Sequence, residues 1–414
     1  LGIGGARLLQ ILGFRVRKYH LNEGHASLLT LELLNHHRLS VEDTWDERDS
    51  WDTRRVQDKC VFTTHTPVEA GHDRFPYELV ERIMGEVIPN DLLQELGGKD
   101  ELNMTMLALN LSHFVNGVAK KHGQVSQALF PGFEIHAITN GIHPFTWGSP
   151  YMMTLFDKYL PGWANEPELL VRVDIIPDEE IEDAHAGAKA YLFQYIEEVT
   201  GVKFDPELLT IGFARRATAY KRANMIFSDP ALLKKIGDGK LQLVFAGKAH
   251  PHDDHGKKMI QEIRNQSEFF GDDLKIVYLP NYNMDVASRL IPGVDIWLNN
   301  PLRPLEASGT SGMKAALNGV PNFSVLDGWW IEGHIEGVTG WSIGPPPTEI
   351  STDVNHSDED VKDLYRKLEK TIIPLYYNDR KAWTKVMKNA IGKNAYYFNT
   401  HVMMRRYVTE AYLR

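Results

Sequence analysis

Cysteine is nearly absent: Cys60 is the only one in 414 residues. An internal disulfide is therefore excluded, and this usage fits a reducing, cytoplasmic setting. Positive charge is also in short supply. Lys and Arg number 45 against 55 Asp and Glu, for a formal net charge of −10. That argues against a nucleic-acid partner, which calls for a basic face. No apolar run approaches the ~18 residues of a membrane span, so neither a membrane partner nor a signal peptide is expected. The first residues, Leu1-Gly-Ile-Gly-Gly, include no methionine and enter directly into a helix-like stretch, so the sequence reads as a fragment. What is present is globular: 43% hydrophobic and 24% charged residues, enough for two to three domains of ~100–200 residues. Cys60, in Cys-Val-Phe-Thr-Thr, reads as a buried strand residue and not as a nucleophile.

From about residue 205, short apolar runs alternate with amphipathic stretches. Strands are expected at 208–214, 241–247, 274–279, 294–298 and 322–326, with helices at 231–236, 257–270, 284–291 and 313–317. This alternation predicts βαβ units and a parallel sheet covered on both faces, an α/β fold. The first 200 residues repeat the pattern less cleanly. Strands are expected at 16–21, 61–66 and 135–142, and helices at 25–37, 76–87 and 104–120. The expected division is a partial first lobe over 1–200, a second lobe over 201–392 entered through a linker at 201–206, and an amphipathic helix over 393–414 that returns to the first lobe. Pro345 to Ser357 reads as a surface loop.

Polar residues gather at the carboxyl ends of the second set of strands, where open parallel sheets bind ligands. Arg215-Arg216 follows the first strand, Lys248 the second, Tyr282 the third, the run Glu306-Ala-Ser-Gly-Thr-Ser-Gly-Met-Lys314 the fourth, and Asp327 the fifth. Within that run, small residues open a helix whose bare amides suit an anion, and a lysine follows. The helix dipole would oppose the lysine's charge, favouring a nucleophilic amine able to form a Schiff base with an aldehyde cofactor. Arg215-Arg216-Ala-Thr-Ala-Tyr220-Lys221-Arg222 places four cations within eight residues. Two neighbouring phosphates would need such a set, whereas cations at a plain helix start are unfavourable. His250-Pro-His252-Asp253-Asp254-His255 could be taken for a metal cluster, but a helix start capped by aspartate accounts for it, and no metal is expected. His20-Leu-Asn-Glu23-Gly-His25 lacks the spacing of a helical metal pair and reads as a strand-to-helix turn. Asp327-Gly-Trp329-Trp330 fits sugar stacking and a packed core equally well.

The string Glu306–Lys314 resembles the pyridoxal-phosphate lysine signature of the α-glucan (glycogen, starch and maltodextrin) phosphorylases. Thr64-His65-Thr66-Pro, Ser112-His113-x-Val-Asn116-Gly117 and Ile138-Thr-Asn140-Gly141 agree in order, and the wording is similar to the compact prokaryotic branch. The resemblance covers about residues 16–335. It implies two Rossmann-like lobes facing a cleft (glycosyltransferase B-type), with the N-terminal lobe here incomplete. It further implies phosphorolysis of α-1,4-glucan or maltodextrin by inorganic phosphate, giving α-glucose 1-phosphate with retention, and an enzyme that is commonly a homodimer.

By the same resemblance, pyridoxal 5'-phosphate forms a Schiff base on Lys314 and is held by Tyr282, Arg215, Thr310 and Ser311. Arg216 and Lys221 hold inorganic phosphate. Glu306, Ser308 and Gly309 meet sugar hydroxyls, and His25 touches the sugar where cleavage occurs. Family members also have a Gly-rich loop in a longer N-terminal part, and Leu1-Gly-Ile-Gly-Gly is read as a helix start and not as that loop. Weak cofactor retention and little activity are therefore expected of this polypeptide. Two alternatives remain at this point: a nucleotide-sugar transferase of the same fold, which has no use for Lys314, and a non-catalytic glucan-binding subunit.

Overall fold

The computed structural model describes residues 1–413 apart from 41, 43, 45, 47, 69–70 and 347–355. Most of the surface loop expected at 345–357 lies outside the described residues. The chain forms two compact units, one of residues 1–139 with 404–414, the other of residues 140–403.

The first unit is built on a four-stranded parallel sheet in the order β1-β2-β5-β6. Its strands are β1 (Tyr19–Asn22), β2 (Cys60–Thr63), β5 (Phe114–Gly117) and β6 (His136–Ala137); β3 (Arg74–Pro76) and β4 (Glu101–Asn103) form an antiparallel pair beside it. Cys60 is fully buried in β2, as its apolar neighbours require, and burial pushes its thiol up to about 12. Leu1-Gly-Ile-Gly-Gly opens a helix, Gly2–Ile11. Ordered α-helix stops at Asn110, and Phe114–Gly117 is a buried strand where a continuous helix to residue 120 was expected. Its side chains are buried on both faces, so the two-residue period that marks a half-exposed strand is missing.

The second unit carries a six-stranded, all-parallel sheet in the order β12-β11-β10-β7-β8-β9. The strands are β7 (Leu209–Arg216), β8 (Leu241–Lys248), β9 (Ile276–Leu279), β10 (Ile296–Asn299), β11 (Asn322–Val325) and β12 (Gly340–Ile343). Phe213, Phe245 and Phe323 face one core; Ala214, Val244 and Trp297 face another. Burial on both faces explains why these strands read as unbroken apolar runs. The chain runs outward through β8 and β9, then returns to β10 on the other side of β7. The β7–β10 seam is therefore the point where strand order reverses, the usual ligand position in such sheets.

The boundary expected near residue 201 falls instead between Thr139 and Asn140, and the closing segment joins the first unit at Met404, not at Lys393. Residues before 178 join the second unit's core through Met152, Phe156, Trp163 and Leu170, and helix Asp178–Thr200 completes the first shift. It buries Leu192 and Ile196 against Leu290 and Val294 of the second unit. Its Lys189 and His185 pair with Asp295 just ahead of β10. Among the described residues, no helix is long and apolar enough to cross a membrane.

Candidate functional site

The β7–β10 seam brings together much of what the sequence singled out. Arg215 is the last residue but one of β7, and its guanidinium donates to the Glu306 carboxylate and, at 3.3 Å, to Ser311 Oγ. Lys221, in a short 3₁₀ turn beyond β7, donates to the same Glu306 Oε2 at 2.6 Å. Trp297 of β10 donates its indole N–H to Ser311 Oγ at 3.1 Å. Burial alone would push the Glu306 carboxyl up, but Arg215 and Lys221 outweigh it and hold it below its usual range. Two cations on one carboxylate leave positive charge in excess. Lys221 shows the strain: burial, then the charge of Arg215, lowers its amine to about 8 despite Glu306.

Lys314 lies in helix Thr310–Leu317, whose N-cap is Gly309, with no side chain to bond the first amides. Its Nζ sits 3.3 Å from the centre of the Trp147 ring. Asn318 ties the two together, donating to the carbonyls of Trp147 and Lys314, each at 2.8 Å. The amine is lowered to about 8 by burial first and by Arg215 second. The helix dipole is not the cause. Lys314 falls in the last turn of this eight-residue helix, where the dipole favours a cation.

Tyr282 feels the charge of the same guanidinium: burial pushes its phenol up to about 12, and Arg215 opposes the shift. Among the described residues, Ser308 Oγ and Thr218 Oγ1 are buried without a hydrogen-bond partner. Thr310 is the first residue of the lysine helix. Arg216 is exposed, in register with Lys248 on β8.

Arg222, counted among the phosphate cations on sequence grounds, is committed elsewhere. It donates to the carbonyls of Asn300 and Pro301 and pairs with buried Asp360 at 2.6 Å. Trp329 and Trp330 are both 1% exposed, which makes them core residues and not a stacking platform. Asp253 caps helix Asp254–Phe270 through the Gly256 amide. Among the described residues, no group of three His, Cys, Asp or Glu could hold a metal ion.

His25 belongs to the first unit, where its exposed ring meets Asp73 at 3.0 Å. Around it lies a tighter polar set, made of residues from two strings that the sequence reading quoted separately and did not join. Buried Glu23, in a left-handed backbone conformation, accepts from the amide of His65 at 2.7 Å and from Thr66 Oγ1 at 2.9 Å. His65 in turn contacts Asn22, and burial lowers its imidazole pKa. Thr64-His65-Thr66 was the available signal for this set, but nothing local in it points to Glu23. Trp147 gave no signal at all.

The sequence profile of the carbohydrate phosphorylase family matches residues 88–339, more than half of the chain. The maltodextrin phosphorylase of Thermococcus litoralis is 39% identical to this chain over 444 residues, covering 100% of it and 53% of the relative. The glycogen phosphorylase of Aquifex aeolicus is 36% identical, covering 100% and 65%, and that of Mycobacterium bovis 34%, covering 99% and 53%. The chain thus spans between about half and two thirds of the length of these curated relatives. With the strand-order reversal, the cation-rich seam and the lysine helix in place, the chain belongs to the carbohydrate phosphorylase family.

Proposed function

We propose that this chain serves phosphorolysis of an α-1,4-glucan or maltodextrin, with pyridoxal 5'-phosphate attached at Lys314. Members of the family are pyridoxal phosphate enzymes. One observation carries the reading. A single guanidinium, Arg215, bonds Glu306 and Ser311, while its charge reaches Lys221, Lys314 and Tyr282.

The residues fit such a cofactor. An amine lowered to about 8 is partly neutral at physiological pH and so nucleophilic. The helix start at Gly309 carries no side-chain cap, a setting that suits an anion, and the surplus cations need one. Ser308 offers a buried hydroxyl with no partner among the described residues. When bound, the cofactor supplies a phosphate that exchanges a proton with the substrate phosphate.

The chain's own residues would do the rest. Lys221 and Arg216 hold inorganic phosphate, and Arg215 offsets the repulsion between neighbouring anions. Glu306, Ser308 and Gly309 meet hydroxyls of the terminal glucose. The glycosidic bond at C1 breaks, a bond from C1 to a phosphate oxygen forms on the same face, and the proton goes to the departing sugar oxygen. The role of His25 rests on the family resemblance.

The test is covalent capture. The chain is incubated with pyridoxal 5'-phosphate, reduced with borohydride and digested, and the peptides are weighed. Label is expected first on the peptide holding Lys314 and is lost in Lys314→Ala. Labelling spread evenly over surface lysines would overturn the reading.

A further inference from the structure

Asp327, two residues beyond β11, is 2% exposed, and both of its oxygens accept main-chain N–H groups. Oδ2 takes the amide of Glu306 and Oδ1 that of Gly328, each at 2.9 Å. The next amide, that of Trp329, donates to the carbonyl of Ser308 at 2.9 Å. Gly328 makes this grip possible. Its φ is +54°, and a Cβ there would come within 2.4 Å of the Ser308 carbonyl oxygen. The turn 327–329 thus holds the backbone at both 306 and 308. The side chain carried by the first of these is the one that bridges Arg215 and Lys221.

We propose that Asp327 is a positioning residue, whose carboxylate fixes the backbone of Glu306 so that Arg215, Lys221 and the 308–309 loop are arrayed for an anion. This rests on the anion-binding role proposed above for Arg215 and Lys221.

The grip has a cost. Burial first, and the negative charge of Glu306, push the Asp327 carboxyl up to about 7, while the two amides and Arg303 oppose the shift; Lys221 and Tyr220 also feel its charge. A carboxyl raised from its ordinary ~3.9 binds more protons folded than unfolded between those values. Its ionisation therefore lowers stability as pH rises through that window, and the loss is complete above about 7.

Asp327→Asn separates three roles by sign. The amide keeps one acceptor and removes the charge. If Asp327 merely stabilised the fold, the variant would unfold at lower urea at pH 8.5. If it acted only as a nearby negative charge, the variant would bind anions more tightly. A positioning residue predicts neither. The urea midpoint at pH 8.5 stays equal to wild type or rises, while affinity falls about tenfold for sulfate, a probe whose charge is constant over this range. Both are read on the intact chain, by urea unfolding and titration calorimetry. Equal or tighter sulfate binding by Asp327→Asn overturns this proposal alone, as does a lowered midpoint. If the wild type binds no sulfate, the anion-site reading falls too.

Discussion

The two ends of the second sheet treat buried charge in opposite ways. At the amino-terminal edge, Asp295 accepts from Lys189 Nζ at 2.7 Å, His185 Nε2 at 3.0 Å and the Thr210 amide at 2.8 Å. Lys189 completes its set on the Leu208 carbonyl and the Tyr376 hydroxyl. Burial would push Asp295 up, but Lys189 and His185 outweigh it and hold it at about 2. At the carboxyl-terminal edge, Arg215 and Lys221 both bond the Glu306 carboxylate, and burial with the charge of Arg215 pulls the amines of Lys221 and Lys314 down to about 8. One edge is closed and sews a helix to the sheet. The other holds surplus charge in a low-dielectric place, the condition under which an incoming anion gains most.

The contrast can be broken at its closed end first. Asp295→Ala strands Lys189 without its counter-charge, and about 3–5 kcal/mol of stability should be lost, read as a large fall in the urea midpoint. The same pair has an acid limit. The stabilisation from Asp295 is fully present above its ordinary ~3.9 and is lost as pH falls through about 2, so Asp295→Asn should flatten the acid limb of the stability curve.

At the open edge the expected pattern reverses. Lys221→Ala should weaken sulfate or phosphate binding about tenfold, or about 1.4 kcal/mol, while the urea midpoint barely moves, because Arg215 still faces Glu306. An equal loss of stability in Lys221→Ala and Asp295→Ala would erase the distinction between the edges.

A finer probe is the pH dependence of acylation, followed peptide by peptide. The rate at Lys314 should reach half its plateau near pH 8, whereas an ordinary lysine, near 10.4, keeps gaining well beyond that. The smallest effect belongs to neither edge. Lys257→Ala removes an exposed ion pair with Asp254 and should change stability by less than about 0.5 kcal/mol.

Much of this sheet was legible in the sequence. All five expected strands from 208 to 326 form, within two residues at each end, because long apolar runs between turn signals leave little choice of structure. β12 escaped notice: Gly340-Trp-Ser-Ile is short, starts on glycine and becomes a strand only by pairing with β11. Helix Asp178–Thr200 was not anticipated, and the domain division was consequently placed at its end. Its docking depends on Asp295, more than a hundred residues away. The lysine helix and its acid could be read locally, since both lie in one run of nine residues. The partners that set their chemistry could not, because Trp147 meets Lys314, and Asp360 captures Arg222, only after the chain has folded.

Gly312, two residues before Lys314, sits where a methyl group would fall 2.3 Å from Asn322 Oδ1 and 2.9 Å from the Trp329 ring. The lysine helix is therefore seated on the interior with no clearance, and a library randomised at 312 should return glycine almost exclusively.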